Sequence, residues 1–511
     1  MAKKKTSPKA EKAPPPAADP SWKTRLEPTG EGYYRLLGDE TGGVEVRFFL
    51  TPQLLAEAED ILYKQVINAT RFPGVRLVAI TPDTHYGYGV PVGCVILTDA
   101  AEGAVAMGPV GFDIGCGMMS ARSDVPAEAA TYDRRLAFNR AVIERVEMGA
   151  GGSSRALGSL PRAAFEALVR GGAEHYVETY GASFDRSRAE RHRLPVDDGW
   201  QVPWGGKGKP ERGLDQLGTL GGGNHFIELQ RSEQTGTLFV QVHTGSRGFG
   251  HGLATNYFER AREEQGGALR DIDLGYFTPD SPHYRDYLNA VAAGGNFAII
   301  NRLVIFEQIA AAFKKVFGRE LELVYEISHN LVQREWHPEY GEVFVHRKGA
   351  TRAFPAGHPG LKGTAWEATG HPVLIPGSNR DYSYILRPLP GAQKSGYSVN
   401  HGAGRRMSRG EAVRRLSQDK VNEQYREAGI VVNDEGDDVP IDESAACYKP
   451  AEDVIAAVVG AGLAEVEHRL EPLSSLKGVE GLSKAQRRDR KAKERGRDLA
   501  RGGARKTKEH Y

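Results

Sequence analysis

Asp113 and Cys116 stand three residues apart in Val110-Gly-Phe-Asp-Ile-Gly-Cys-Gly117. Gly115 and Gly117 let the backbone fold so that a carboxylate and a thiolate can reach one ion. That pair suits Zn²⁺, Mn²⁺ or Fe²⁺ better than Mg²⁺ or Ca²⁺. Three more segments each set an imidazole among small or polar residues: Gly223-Asn-His225, His243-Thr-Gly-Ser-Arg247 and Ser328-His-Asn330. A fifth, His401-Gly-Ala-Gly404, runs into Arg405, Arg406 and Arg409. Histidine is scarce, 15 of 511 residues, so four of them in glycine-rich or polar turns is not what a packing role predicts. Singly, each is as well read as a hydrogen-bonded structural histidine, and Cys116 as an inert buried thiol. Jointly, Asp113, Cys116, His225, His243 and His329 are enough for one metal, or for two sharing a bridging ligand.

The other residue types point to phosphate. Four glycines within six residues of Gly218–Gly223 leave backbone N–H groups free to approach phosphate oxygens. No Gly-Lys-Ser/Thr follows, so this is not a Walker A loop. Asn224 and Glu228 flank His225 as polar orienters, and Arg247 has the bidentate fork that phosphate favours. A histidine such as His401 can act as a general base or as a nucleophile on phosphorus, and Gly402, Ala403 and Gly404 leave room for a nucleotide beside it. Ile375-Pro-Gly-Ser-Asn379 and Asp381-Tyr-Ser383 add hydroxyl and amide donors, and Lys477 adds a cation.

These segments need a scaffold that presents them together. Short apolar runs predict strands at 75–80 and 91–97. Alternation predicts strands at 237–243, with Leu238, Val240 and Val242 on one face, and at 320–328. Both run into an island histidine, and a third at 342–345 runs into His346. Helices are expected at 52–65, 136–147, 296–317 and 451–459, and 183–215 reads as a long surface connection. Periodicity supports mixed α and β.

Composition bounds the function. With 40% apolar and 26% charged residues this is an ordinary globular chain. No run of about eighteen apolar residues is evident, and Met-Ala-Lys-Lys-Lys is not a secretory leader. Three cysteines cannot make a disulfide framework, so a reducing, cytoplasmic setting is expected. Net charge is +1, but residues 1–20 carry an excess of about three positive charges and 479–511 of about seven, leaving a mildly acidic body. Any nucleic-acid contact must therefore come from local groups and tails. Residues 1–20 read as a disordered Lys/Pro/Ala-rich tail, 21–478 as the catalytic domain, and 479–511 as a basic, disordered or partly helical extension.

Over about residues 30–478 the chain resembles the RtcB family of GTP-dependent RNA ligases. The matching stretches are Pro82-Asp-Thr-His-Tyr-Gly-Tyr-Gly89, Val110–Gly117, Gly218–Glu228, Val242-His-Thr-Gly-Ser-Arg-Gly248, Ser328–Asn330, Val345-His-Arg-Lys-Gly-Ala-Thr-Arg352, Pro376–Ser378 and His401–Arg405. The resemblance implies a single large α+β domain, with mixed sheets lining a metal cleft and helices outside. It implies manganese, two ions, on Asp113, Cys116, His225, His243 and His329, and covalent guanylylation of His401. It places GTP against Asn224, His225, Phe226, Ile227, Glu228, His329, Asn330, Pro376, Gly377, Ser378, Asn379, Ser383, His401, Gly402, Ala403, Gly404 and Lys477. The implied reaction joins RNA ends bearing a 2′,3′-cyclic phosphate or 3′-phosphate to a 5′-hydroxyl. A member restricted to cyclic-phosphate hydrolysis or 3′-end guanylylation, or a non-catalytic RNA-binding protein, is the alternative. Retention of His401 and Lys477 and of the whole ligand set favours the ligase. The chain departs from the family pattern at Asn379-Arg380, where most members carry methionine after Pro-Gly-Ser, at Asn400, where many carry cysteine, and in its extension beyond Gly478.

Overall fold

The computed structural model describes residues 20–181, 193–266, 269 and 271–478. The tails at 1–19 and 479–511, and the expectations attached to them, lie outside these residues. Strand Thr237–Thr244 illustrates how the sequence pattern becomes a layer. Leu238, Val240 and Val242 are fully buried in the main apolar cluster, while Phe239, Gln241 and His243 alternate onto the other face. One face thus goes to packing and the other to the site.

Two large sheets carry the site. In the first, strands run in the order Glu27–Pro28, Tyr34–Leu36, Glu45–Phe48, Val75–His85, Val92–Asp99, Gly341–Lys348, Asn330–His337. In the second the order is Glu322–Ser328, Gly117–Pro126, Thr237–Thr244, Phe226–Ser232, Ala464–Lys477, Ser383–Pro388, Val373–Ile375, with Val431–Val432 also pairing on Ala464–Lys477. His329 is the single residue between Glu322–Ser328 of the second sheet and Asn330–His337 of the first. A small pair, Ala350–Arg352 with Ser398–Asn400, leads directly into His401. The mixture of sheets and helices is the expected α+β class.

Helix Tyr284–Phe317 packs its apolar side against the second sheet and is the spine of the main core. It begins twelve residues before the expected start at 296. It is also long and apolar enough to cross a membrane by length and mean hydropathy, although Asn296, Asn301 and Arg302 interrupt its apolar run, and 89% of its most apolar window is buried inside the molecule. The helix expected over 52–65 divides into Pro52–Glu57 and Leu62–Ala69. Tertiary contacts hold the break: Lys23 Nζ donates to Ala56 O at 3.0 Å and Tyr86 N donates to Glu59 Oε2 at 3.1 Å. The helix expected over 136–147 is shifted to Tyr132–Ile143, because Glu147–Met148 pairs in parallel with Thr219–Gly221 and buttresses the glycine loop. The described part of 183–215 is no surface connection. Val196, Trp200 and Val202 are in the core, and Trp204 packs on Phe165 and Phe249.

Candidate active site

The turn that carries Asp113 and Cys116 is closed by Cys116 N donating to Asp113 O at 3.1 Å. Gly115 within it has φ 73°, and a Cβ there would stand 2.8 Å from Gly295 Cα of the spine helix, so the turn can seat only with glycine. Ser246 N donates to Asp113 Oδ1 at 3.0 Å, tying this turn to His243-Thr-Gly-Ser246. His329 N donates to Cys116 O at 2.7 Å, tying it to the sheet-to-sheet joint.

Among the described residues two groups have the composition and spacing of a metal site. Cys116, His243 and His329 form one and Asp113, Cys116 and His225 the other, each with ligand atoms within 4.8 Å of one another. Cys116 belongs to both, so its sulfur has the place of a bridging ligand. Cys116 Sγ lies 3.2 Å from His243 Nε2 and 3.6 Å from His225 Nε2. The backbone sets the tautomers. Nδ1 of His225 is 3.0 Å from Leu220 O, and Nδ1 of His243 is 3.0 Å from Asn224 O, so each Nδ1–H donates and each Nε2 faces the cleft. His225 Nε2 lies 3.1 Å from Asp113 Oδ2. Nδ1 of His329 is buried with no protein partner. These donors and their orphaned electron pairs fit a soft-to-borderline divalent cation. Burial, reinforced by neighbouring imidazoles, pushes His243 and His329 well below the usual histidine range, which keeps them neutral. Burial opposes ionisation of Asp113, but the hydrogen bond and charge of His225 outweigh it and hold the carboxyl well below its ordinary range. Burial and then the Asp113 charge push the Cys116 thiol far up, so a cation that takes this sulfur must displace its proton.

Two buried polar residues of the spine helix hold these loops in place. Arg302, fully buried, pairs with Glu326, 2% exposed. Its Nη1 donates to Gly115 O and to Thr244 O, both at 2.8 Å, and Nη2 donates to Ser328 Oγ at 2.8 Å. One guanidinium therefore reaches the segments carrying Cys116, His243 and His329. Asn301 Oδ1 accepts from Gly218 N at 2.6 Å and Thr219 N at 3.1 Å, and its Nδ2 donates to Gly245 O at 3.1 Å. Sequence reasoning missed both. The signal was present, since Asn301-Arg302 interrupts an otherwise apolar helical run.

His401 lies against the metal-ligand cluster, its ring centroid 4.8 Å from that of His329. Asp83 is completely buried and sits 2.6 Å from His401 Nδ1, while its other oxygen accepts from Thr81 Oγ1 at 2.6 Å. His401 N also donates to Asp83 Oδ2, at 3.2 Å. Burial opposes the charge on Asp83, yet contact with His401 and then the Thr81 hydroxyl prevail and lower it below the ordinary carboxylate value. Asp83 fixes Nδ1 as the donor and leaves Nε2 free. The motif Pro82-Asp-Thr-His contained Asp83, but only the fold reveals its partner. Gly404 has φ 78°, and a Cβ there would fall 2.1 Å from Asp83 O.

The remaining sequence-predicted residues divide. Asn224 is exposed beside the ligands. Phe226, Glu228 and Gln230 share one face of Phe226–Ser232, while the Ile227 side chain points into the core on the other. Asn330 is engaged internally, accepting from Gly349 N at 2.8 Å and donating to Asp113 O at 3.2 Å. Glu228 is pushed up to about 8 by burial, against the pull of Gln230, Lys477 and Ser383. Lys477 pairs in register with Phe226, its Nζ 5.5 Å from that ring and 3.7 Å from Glu443 Oε2. Ser383 Oγ accepts from Gly377 N at 3.1 Å, and Ser378 Oγ donates to Asp381 Oδ2 at 2.9 Å. Pro376, Gly377 and Ser378 thus form a turn beside Glu228 through Ser383. Gly402 O accepts from Asn400 Nδ2 at 2.7 Å, and Ala403 is buried. At the two departures from the family pattern, Asn379 Oδ1 accepts from the buried Tyr425 hydroxyl, and Asn400 braces the turn after His401.

The chain matches the family described as tRNA-splicing ligase RtcB over residues 65–478. It is similar to the tRNA-splicing ligase RtcB of Pyrobaculum aerophilum, 36% identical over 466 residues that cover 85% of this chain and 95% of that protein. The corresponding protein of Thermococcus kodakarensis is 34% identical, covering 86% and 96%. The RNA-splicing ligase RtcB of Mycobacterium tuberculosis is 36% identical, covering 81% of this chain and all of that protein.

Proposed function

The chain belongs to the RtcB family, and from that premise we propose that it is an RNA ligase joining 2′,3′-cyclic phosphate or 3′-phosphate ends to 5′-hydroxyl ends at the expense of GTP. The observation that carries the reading is the buried Asp83–His401 pair, set against the Asp113, Cys116, His225, His243, His329 cluster. An isolated metal site would not need a second, carboxylate-oriented imidazole beside it.

His401 Nε2, unprotonated because Asp83 holds the proton on Nδ1, attacks the α-phosphorus of GTP. A nitrogen–phosphorus bond forms, the α–β anhydride breaks, and pyrophosphate leaves. A cyclic end is first opened by water, which adds to phosphorus as the 2′-oxygen leaves with a proton, giving a 3′-phosphate. An oxygen of that 3′-phosphate then takes the GMP from the histidine. The 5′-hydroxyl attacks the activated 3′-phosphorus, and GMP departs as the strand is sealed. Asp113, Cys116, His225, His243 and His329 would hold manganese, which when bound would stabilise charge on phosphoryl oxygens. Asn224, Phe226, Glu228, Ser378, Ser383, Ala403, Gly404 and Lys477 line the side where the nucleotide would lie. In this reading Glu228 would accept from the guanine edge, and Lys477 would donate to it.

The test is to incubate the full chain with manganese and GTP labelled at the α-phosphate. Acid-labile label on the protein is expected, and none on His401→Ala. Label absent from the wild type, or undiminished in His401→Ala, would sink the mechanism. Label without joined RNA would indicate end-capping instead.

A further inference from the structure

The stretch Pro82–Gly89 gives Asp83 to His401, but its two tyrosines take no part in that pair. Tyr86 is 53% and Tyr88 66% exposed. The backbone beneath Tyr88 is nonetheless clamped. Gln65 Nε2 donates to Gly87 O at 2.6 Å, and Gln65 Oε1 accepts from Gly87 N at 3.0 Å. Asn68 Nδ2 donates to Gly89 O at 2.8 Å. Lys348, 6% exposed, donates to Tyr88 O at 2.6 Å and Val90 O at 3.0 Å. A buried lysine committed to that carbonyl is costly unless the position matters.

The ring is seated as well as the backbone. Phe112 stacks with His251 at 5.3 Å and 27°, and with Phe258 at 4.8 Å and 29°. Those two lie seven residues apart on helix Arg247–Gln265, about 10 Å along its axis, so Phe112 is sandwiched between them and both its faces are taken. Tyr88 meets Phe112 at 6.2 Å and 90°. With both faces of Phe112 taken, Tyr88 meets only its edge, and Tyr88 is 66% exposed, so an open aromatic surface remains. Phe112 is also the residue immediately before Asp113, so Tyr88 touches the neighbour of a candidate ligand.

We propose that Tyr88 is a stacking platform for a terminal nucleobase of the RNA strand whose end phosphate lies at the cluster. The identity of that strand rests on the ligase reading above. Stacking is sequence-tolerant, as an enzyme joining varied ends requires, and it matters most where the body of the protein is mildly acidic and backbone charge attraction is weak.

The experiment uses the full chain with manganese and a 3′-phosphorylated RNA carrying 2-aminopurine at its last nucleotide. Binding to the wild type should quench the fluorophore. In Tyr88→Leu the dissociation constant should rise on the order of ten- to a hundredfold and the quenching disappear, while Tyr88→Phe stays within about twofold of wild type. Labelling of His401 by GTP, which needs no RNA, should survive in Tyr88→Leu. Equal affinity and quenching in wild type and Tyr88→Leu would overturn the platform. So would loss of His401 labelling in that variant, which would make Tyr88 structural. A wild type that stacks RNA but takes no label from GTP would leave the platform standing and remove the ligase reading.

Discussion

Replacing Arg302 tests whether the spine helix builds the metal centre or merely neutralises a buried charge. Arg302→Met takes the buried guanidinium away from Glu326, 2% exposed. Removing one member of a buried pair costs about 3–5 kcal/mol. Gly115 O and Thr244 O also lose their charged donor, adding about 1 kcal/mol each. A total of about 5–7 kcal/mol should appear as a large fall in the urea midpoint of the metal-free protein. In the double variant Arg302→Met/Glu326→Leu that buried negative charge is gone, and stability should return to within about 2 kcal/mol of wild type. Metal affinity should not return with it. Loops 115–116, 244 and 328 would still lack their common donor, and loss of such outer contacts weakens metal binding about 10- to 100-fold. Urea unfolding monitored by tryptophan fluorescence gives the first quantity, and titration of free Mn²⁺ by its paramagnetic resonance signal gives the second. A double variant that binds manganese with wild-type affinity would refute the reasoning and reduce Arg302 to a counter-ion.

Asp83→Asn should slow GMP transfer to His401 by about 10³–10⁴ while GTP affinity changes only a few-fold, because the tautomer and not the pocket is lost; label kinetics and equilibrium dialysis separate the two. Glu228 is raised from an ordinary 4.5 to about 8, so its contribution to stability is complete below about pH 4.5 and is lost as pH rises through 8. Denaturant midpoints from pH 5 to 9 should therefore fall more steeply in wild type than in Glu228→Gln, and equal slopes would contradict this. Asn379→Met leaves the Tyr425 hydroxyl, 2% exposed overall, without its acceptor and should cost about 1–3 kcal/mol. Adding Tyr425→Phe should recover only part of that in thermal melts, because the same hydroxyl accepts from Ala445 N at 3.1 Å.

The clustering of Asp113, Cys116, His225, His243 and His329 was legible in sequence because each stands beside glycine or polar residues, where packing gives no reason for a histidine. Strand Thr237–Thr244 was legible because its alternation is strict and one face is wholly apolar. What escaped was set by contacts between distant segments. Asp83 is 318 positions from His401, and nothing local marks it as that residue's partner. Arg302 meets Gly115, Thr244 and Ser328 from three separate stretches. The break after Glu57 depends on Lys23 and Tyr86, which no window of helical periodicity contains. Trp200 and Trp204 sit in a Pro/Gly-broken, charged segment that reads as surface, and only their burial shows otherwise. Ile227 shows the reverse error of resolution. A motif names consecutive residues, whereas a strand sends alternate ones to opposite sides.

The position of His329 has a consequence for how the molecule assembles. His329 extends the ladder in which Ser328 stands opposite Gly117, its own N–H donating to Cys116 O, and His243 stands opposite Met118 on the next strand. The second sheet alone therefore gathers Cys116, His243 and His329, whether or not the first sheet has been added. A cation held by these three would stabilise every state in which that sheet is formed, by RT ln(1 + [L]/Kd). Refolding in the presence of manganese should slow the opening of that sheet and leave the docking of the first sheet unchanged.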